Sequence, residues 1–197
     1  MRANQRMTAS DGYEVMLFPI DEMYITQGEH SGYCIDFVGW SSGSGQIARY
    51  PLYAPCSCTC VARSSSGDWQ VFNSDNMVHC ADGTLRYICF QIGHDDTPQQ
   101  IGDSFTQGDL IGHTGTNGYV TGDHLHFNTA SGHYTAPWSG QLNNSMHIYD
   151  ICYVNDTIMY RPLSYPWKEY ASPTPPTGTK KKKFPWYIIT SKKLHRM

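Results

Sequence analysis

What most constrains this chain is its punctuation. Short runs of β-branched and aromatic residues alternate with turn clusters, and no long stretch holds a helical period. The turn clusters are Ser41-Ser42-Gly43-Ser44-Gly45, Ser64-Ser65-Ser66-Gly67-Asp68, Asp82-Gly83 and Thr114-Gly115-Thr116-Asn117-Gly118. Between them the pattern predicts strands over Tyr33–Trp40, Cys58–Arg63, Trp69–Asn73, Met77–Cys80, Leu85–Ile92, Asp109–His113 and His124–Asn128. Asp82-Gly83 has the chemistry of a two-residue hairpin turn, with Gly meeting the need for positive φ. The expected frame is all-β and mainly antiparallel, as a curved sheet or β-sandwich.

Charge divides the chain into two parts. Seven of its 14 bases, Lys180 to Lys183, Lys192, Lys193 and Arg196, fall after residue 179 with no acid among them. The remaining seven oppose 17 acids, so a body of net −10 precedes a segment of net +7. Residues 1–170 are expected to be the folded body and 171–179 an extended Pro/Thr linker. Residues 180–197 form a basic segment whose FPWYIIT stretch, Phe184–Thr190, is apolar enough to dock as a strand or to remain a loose tail. The acidic body argues against nucleic acid as a partner. No apolar run reads as a signal peptide or a membrane span. Seven cysteines cannot all pair within one chain, and Cys56, Cys58 and Cys60 lack zinc-knuckle spacing, so they are expected to be buried small hydrophobes folded in a reducing compartment.

The chemistry concentrates in Gly122-Asp123-His124-Leu125-His126-Phe127. On a strand, His124 and His126 project to the same face and can converge on a metal, or divide between metal and substrate. Upstream, His30-Ser31-Gly32-Tyr33-Cys34-Ile35-Asp36-Phe37 sets a His and an Asp around a glycine turn. His30, Asp36 and His126 together are a two-His, one-carboxylate set, which suits Zn²⁺ better than the oxygen-loving Ca²⁺ or Mg²⁺. The bland alternative is an Asp that caps a turn and histidines that hydrogen-bond on a polar face. His113 reads as a turn residue near the motif, His79, His133 and His147 lack a partner pattern, and His195 lies in the basic segment. Tyr119, Tyr134, Trp138 and Trp40 could wall a groove for an extended peptide or pack in the core.

The series from His-x-Gly and Asp-Phe, through Ala54-Pro55-Cys56 and a strand ending at His94, to QGDLIGHTGTNGYVTGDHLHF (Gln107–Phe127) resembles the M23 family of zinc metallopeptidases, of LytM and lysostaphin type. The resemblance covers roughly residues 28–128. It implies the LytM-type fold with a central groove, one Zn²⁺ per chain held by His30, Asp36 and His126, and His94 and His124 as catalytic histidines. Many relatives place the Asp four residues after the His, whereas the gap here is six, which a bulge would absorb. Asp21 and Glu29 are the fallback carboxylates, and Cys34 is a possible zinc ligand beside Asp36.

The implied activity is zinc-dependent endopeptidase cleavage of the peptide part of bacterial peptidoglycan. With no export signal and a Pro-linked tail, the resemblance further implies a bacteriophage product. It would be a tail-tip component of the virion, joined to other tail proteins through the C-terminal segment, or a lysin released at lysis. The alternative is an inactive structural or adhesin module that keeps the fold; the presence of all five site residues argues against it.

Overall fold

A computed structural model of the chain describes residues 1–172. The linker from residue 173 onward and the basic segment 180–197, including Phe184–Thr190, lie outside the described residues. Among those described there are 15 strands and one helix of a single turn, Ile148–Ile151, so the molecule is all-β and mainly antiparallel. No helix among them is long and apolar enough to cross a membrane.

The central sheet has ten strands. Its main path runs Ser104–Phe105, Cys58–Arg63, Trp69–Ser74, Ile88–Gly93, Leu125–Ser131, Cys34–Ser41, Glu22–His30 and Ile158–Arg161. Every pair along it is antiparallel except the last, which is parallel. Five of these eight strands lie where the punctuation predicted: Cys58–Arg63 with the same ends, the other four with ends shifted by a residue or more. The predicted Leu85–Ile92 strand divides at Tyr87, whose two sides pair in different sheets. Three strands of this path carried no assignment from sequence: Ser104–Phe105, which has only two residues, Glu22–His30 and Ile158–Arg161. Glu22–His30 is the longest strand among the described residues, but its glycine and acids hide a short alternation in which Met23 and Ile25 are buried. Ile158–Arg161 is mostly exposed and gives no hydrophobic signal.

Alternation sorts the sheet's two faces. Phe37, Phe72, Phe90 and Phe127 are fully buried on one face; Phe37 and Phe127 meet Phe18 from the N-terminal segment, and Phe90 joins Phe72 to Phe127. Burying each phenyl group stabilises the fold by about 1.5–3 kcal/mol. The other face carries the polar residues described below. All seven cysteines are free and buried, and Cys58 and Cys60 share the core face as their spacing predicts. Burial pushes the Cys80 thiol up to about 12. Ellman's reagent should therefore titrate less than about one thiol per native chain within minutes and all seven after denaturation. Rapid native labelling of several would contradict this packing.

Candidate metal centre and its flanking histidines

Strand pairing lays the centre out as a row. His126 faces Asp36 across one ladder and Gly93 across the other, and Gly93 faces Trp69. His30 enters from the adjoining strand through the turn Ser31-Gly32-Tyr33, all three at positive φ. The six-residue gap between His30 and Asp36 is taken up by two register shifts in this hairpin, one between Ile25 and Gln27 and one between Gln27 and His30. The irregular pairing brings His30 back over Asp36.

Three side-chain atoms then meet at one point. His30 Nε2 lies 3.3 Å from His126 Nδ1 and 3.6 Å from Asp36 Oδ1, and His126 Nδ1 lies 2.9 Å from Asp36 Oδ1. His30 Nδ1 donates to the Gly28 carbonyl at 2.9 Å, which leaves Nε2 bare in the neutral ring. Asp36 is 8% exposed, and its Oδ1 has no hydrogen-bond partner although the His126 nitrogen lies 2.9 Å away. Electron pairs from a carboxylate and two imidazoles thus converge where a cation would satisfy them. Four-coordinate zinc with bonds of 2.0–2.1 Å holds its ligand atoms about 3.3–3.4 Å apart, and the triangle is of that size. The residues fit the metal in donor type and in spacing. Burial pushes the Asp36 carboxyl up, but the adjacent His126 and the charges of His126, His30 and His124 outweigh it and hold the group below its ordinary value.

Cys34 competes for the same place, since donor atoms of His30, Cys34 and His126 lie within 4.8 Å of one another. Its thiol, however, donates to the carbonyls of Ser31 at 2.8 Å and His30 at 3.2 Å. Burial also pushes that thiol up to about 11, and a protonated sulfur is a poor ligand. Asp36 is nearer and already anionic. The two fallback carboxylates are engaged elsewhere: Glu29 accepts from His147 Nδ1 at 2.7 Å, and Asp21 accepts from the Glu22 amide at 3.0 Å.

His94 and His124 stand side by side next to the triangle, with ring centroids 4.7 Å apart. His124 Nε2 is 3.9 Å from Asp36 Oδ2. Each ring is oriented by a carbonyl: His94 Nδ1 donates to Asn117 at 2.8 Å and His124 Nδ1 to Gly122 at 2.8 Å. Both Nε2 atoms are therefore left free to accept a proton. His94 follows its strand in a left-handed backbone conformation, φ 74°, held by His94 N donating to Asp68 O and Asn117 N donating to His94 O. Such strain costs about 1–3 kcal/mol and collects at working sites. Burial lowers the affinity of His94 for a proton.

Two glycines make this packing possible. A Cβ on Gly93 would lie 2.5 Å from the Trp69 ring, which instead packs edge-on to His126 at 4.7 Å and His94 at 4.9 Å. A Cβ on Gly115 would collide with the His94 carbonyl, and only the bare backbone can approach it while pairing with His124. Trp69 was not singled out by the sequence, because its relation to His126 exists only through register across two ladders. Of the four aromatics considered as groove walls, Trp138 stacks on Trp69 at 6.3 Å, Tyr134 is buried in a small core cluster, Tyr119 is fully exposed and Trp40 stacks on Tyr24. His113 ends the short strand Leu110–His113 rather than sitting in a turn. His79 pairs with Asp11 at 2.9 Å, and His133 Nε2 donates to Ser74 O at 2.9 Å.

No family model matches the chain. It is 39% identical over 171 residues, 81% of its length, to Morphogenesis protein 1 of Bacillus phage B103, and spans 45% of that relative. Among solved structures, a zinc containing peptidase from Vibrio cholerae superposes with a TM-score of 0.45 at 18% identity, covering 64% of this chain and 43% of that one. The catalytic domain of the antimicrobial peptidase lysostaphin from Staphylococcus simulans gives 0.37 at 20% identity, covering 60% and 80%. The chain thus spans less than half the length of its phage relative.

Proposed function

We propose that this chain is a zinc-dependent endopeptidase of M23 type that cuts peptide bonds in bacterial peptidoglycan on behalf of a bacteriophage. The observation that carries the reading is the triangle of His30 Nε2, Asp36 Oδ1 and His126 Nδ1, whose buried carboxylate oxygen lacks a hydrogen-bond partner beside two further histidines. The likeness to a phage morphogenesis protein supports the phage setting. On this reading the protein belongs to the virion, at the tail tip, or is released at lysis. The basic segment 180–197, beyond the linker 171–179, would then attach it to tail proteins or to anionic wall polymers.

His30, Asp36 and His126 would hold the metal, and three protein donors leave a fourth coordination position for water or substrate. A bound Zn²⁺ supplies an acidified water and polarisation of the substrate carbonyl. The remaining steps belong to the chain. Nε2 of His94 or His124 accepts the proton of the attacking water while Nδ1–H stays bound to its carbonyl, which fixes the ring's direction. The Nε2–H so formed hydrogen-bonds the oxygen that gains charge and then passes its one proton to the departing amine, which returns the ring to its neutral form. Trp69, packed against both His94 and His126, shields one flank of these rings from water.

Incubation with purified peptidoglycan should release new amino termini. A chelator should abolish the release and added Zn²⁺ restore it, and mass spectrometry of the fragments would identify the bond. A zinc-loaded, folded chain that produces no new amines from any peptidoglycan tested would overturn the proposal.

A further inference from the structure

Next to the triangle, on the same face, sits a second polar pair. Gln91 and Asn128 are direct partners in the ladder between Ile88–Gly93 and Leu125–Ser131. Each lies two residues along its strand from the row that holds Gly93 and His126. They are 2% and 3% exposed, yet Gln91 Nε2 and Asn128 Oδ1 have no hydrogen-bond partner. Asn128 Nδ2 donates to Ser145 Oγ at 3.4 Å, which orients the amide with its oxygen left over. Both residues line a depression of about 210 Å³ that also contacts His126 and Trp69 and is bordered by Gly140 and Gln141.

Native proteins seldom leave one buried polar atom unpaired, and here an unpaired donor and an unpaired acceptor are neighbours in register. Their complement is a ligand that offers an acceptor beside a donor. A carboxylate offers only acceptors and an ammonium only donors, so either would leave one of the two atoms unmet. The N–H and C=O of a single residue in an extended peptide point the same way, as in a hydrogen-bonded pair of an antiparallel ladder, and would satisfy both.

We propose that Gln91 and Asn128 form a backbone-reading subsite for an extended peptide, in which Gln91 Nε2–H donates to the carbonyl and Asn128 Oδ1 accepts the N–H of one substrate residue. Two residues along a strand span about 6.7 Å, the same as two residues of an extended ligand. The gripped residue therefore lies about two positions from the bond held at the centre. The assignment rests on the peptidase reading for what the ligand is, and on Gln91 and Asn128 for how it is held.

The test uses the full chain and soluble peptidoglycan peptides. Gln91→Leu and Asn128→Leu should each raise KM about tenfold with kcat little changed. In the His124→Ala background, calorimetry should show the same loss in Kd. On the parent chain, N-methylation of one non-scissile amide should weaken binding about tenfold, and Asn128→Leu should be indifferent to that methyl group. The N-methyl comparison on the parent needs no variant, so it decides the matter even if Asn128→Leu fails to fold. Peptide cleavage with KM, Kd and N-methyl response all unaffected would overturn the subsite while leaving the peptidase standing. Peptide binding that depends on Asn128 without any cleavage would do the reverse. Variants that lose only thermal stability would show that the pair serves the fold, and a parent that neither cuts nor binds would overturn both.

Discussion

Asp36→Asn is expected to fold normally, to lose nearly all of its zinc, and to cut peptidoglycan at least about a thousandfold more slowly than the parent. Asp36 supplies the only negative charge among the three proposed donors, so the substitution leaves two neutral imidazoles and a weakly donating amide oxygen. The fold should tolerate it. Asp36 Oδ1 has no hydrogen-bond partner, so no buried partner is orphaned by removing the charge. The readout is a thermal melt with and without zinc. At a free metal concentration a thousand times Kd, binding stabilises the native state by about 4 kcal/mol. For a chain of this size that is roughly 8–16 °C in Tm. The parent should show the rise and Asp36→Asn should not, while the metal-free melts of the two coincide within a few degrees. Metal analysis should give about one zinc per parent chain and almost none in the variant. Stoichiometric zinc in Asp36→Asn at unchanged affinity would sink the assignment, and loss of that metal in Cys34→Ser would transfer the third position to the sulfur, whose donor distance to both histidines allows it.

How much of this centre was legible in the sequence depends on whether each relation is local. His124 and His126 share a face because two residues on a strand always do, and His30, His94 and Asp36 were visible through the motif series that surrounds them. The strands themselves were legible where β-branched and aromatic runs end at glycine and serine clusters. The order of strands was not, because pairing is a property of the whole sheet. Glu22–His30 escaped notice because two of its partners sit across register shifts and its alternation lasts only four residues before turning polar. The same shifts resolve the one departure from the motif, the six-residue gap between His30 and Asp36. Trp69, Gly93 and Gln91 come close to His126 or Asn128 only through ladders that join distant segments. Asn128 is different, since it follows His126 by two residues on the same face, and the alternation argument that pairs His124 with His126 reaches it in one more step.

The same geometry separates holding the metal from using it, and His124→Ala is the substitution that exposes the difference. His124 Nε2 stands 3.9 Å from Asp36 Oδ2, outside the triangle, and its Nδ1 is committed to the Gly122 carbonyl. Its removal should therefore leave about one zinc per chain, with the zinc-dependent rise in Tm intact. Cleavage should fall by about 10²–10⁴-fold, the span of a positioned general acid or base, and the loss should sit in kcat rather than KM. His94→Ala should behave alike in metal content, but its fall in rate carries a second component. The His94 ring helps hold a left-handed backbone turn through Asn117, so truncation loosens the loop that also carries Gly115 against His124. If the two histidines act as one unit, the double variant will be scarcely slower than the worse single variant; if they act on separate protons, the losses will multiply. Metal content together with kcat on a soluble peptide, measured for all three variants, decides between these. A His124→Ala chain that keeps its zinc and cuts at the parental rate would remove His124 from the chemistry and leave proton transfer to His94 alone.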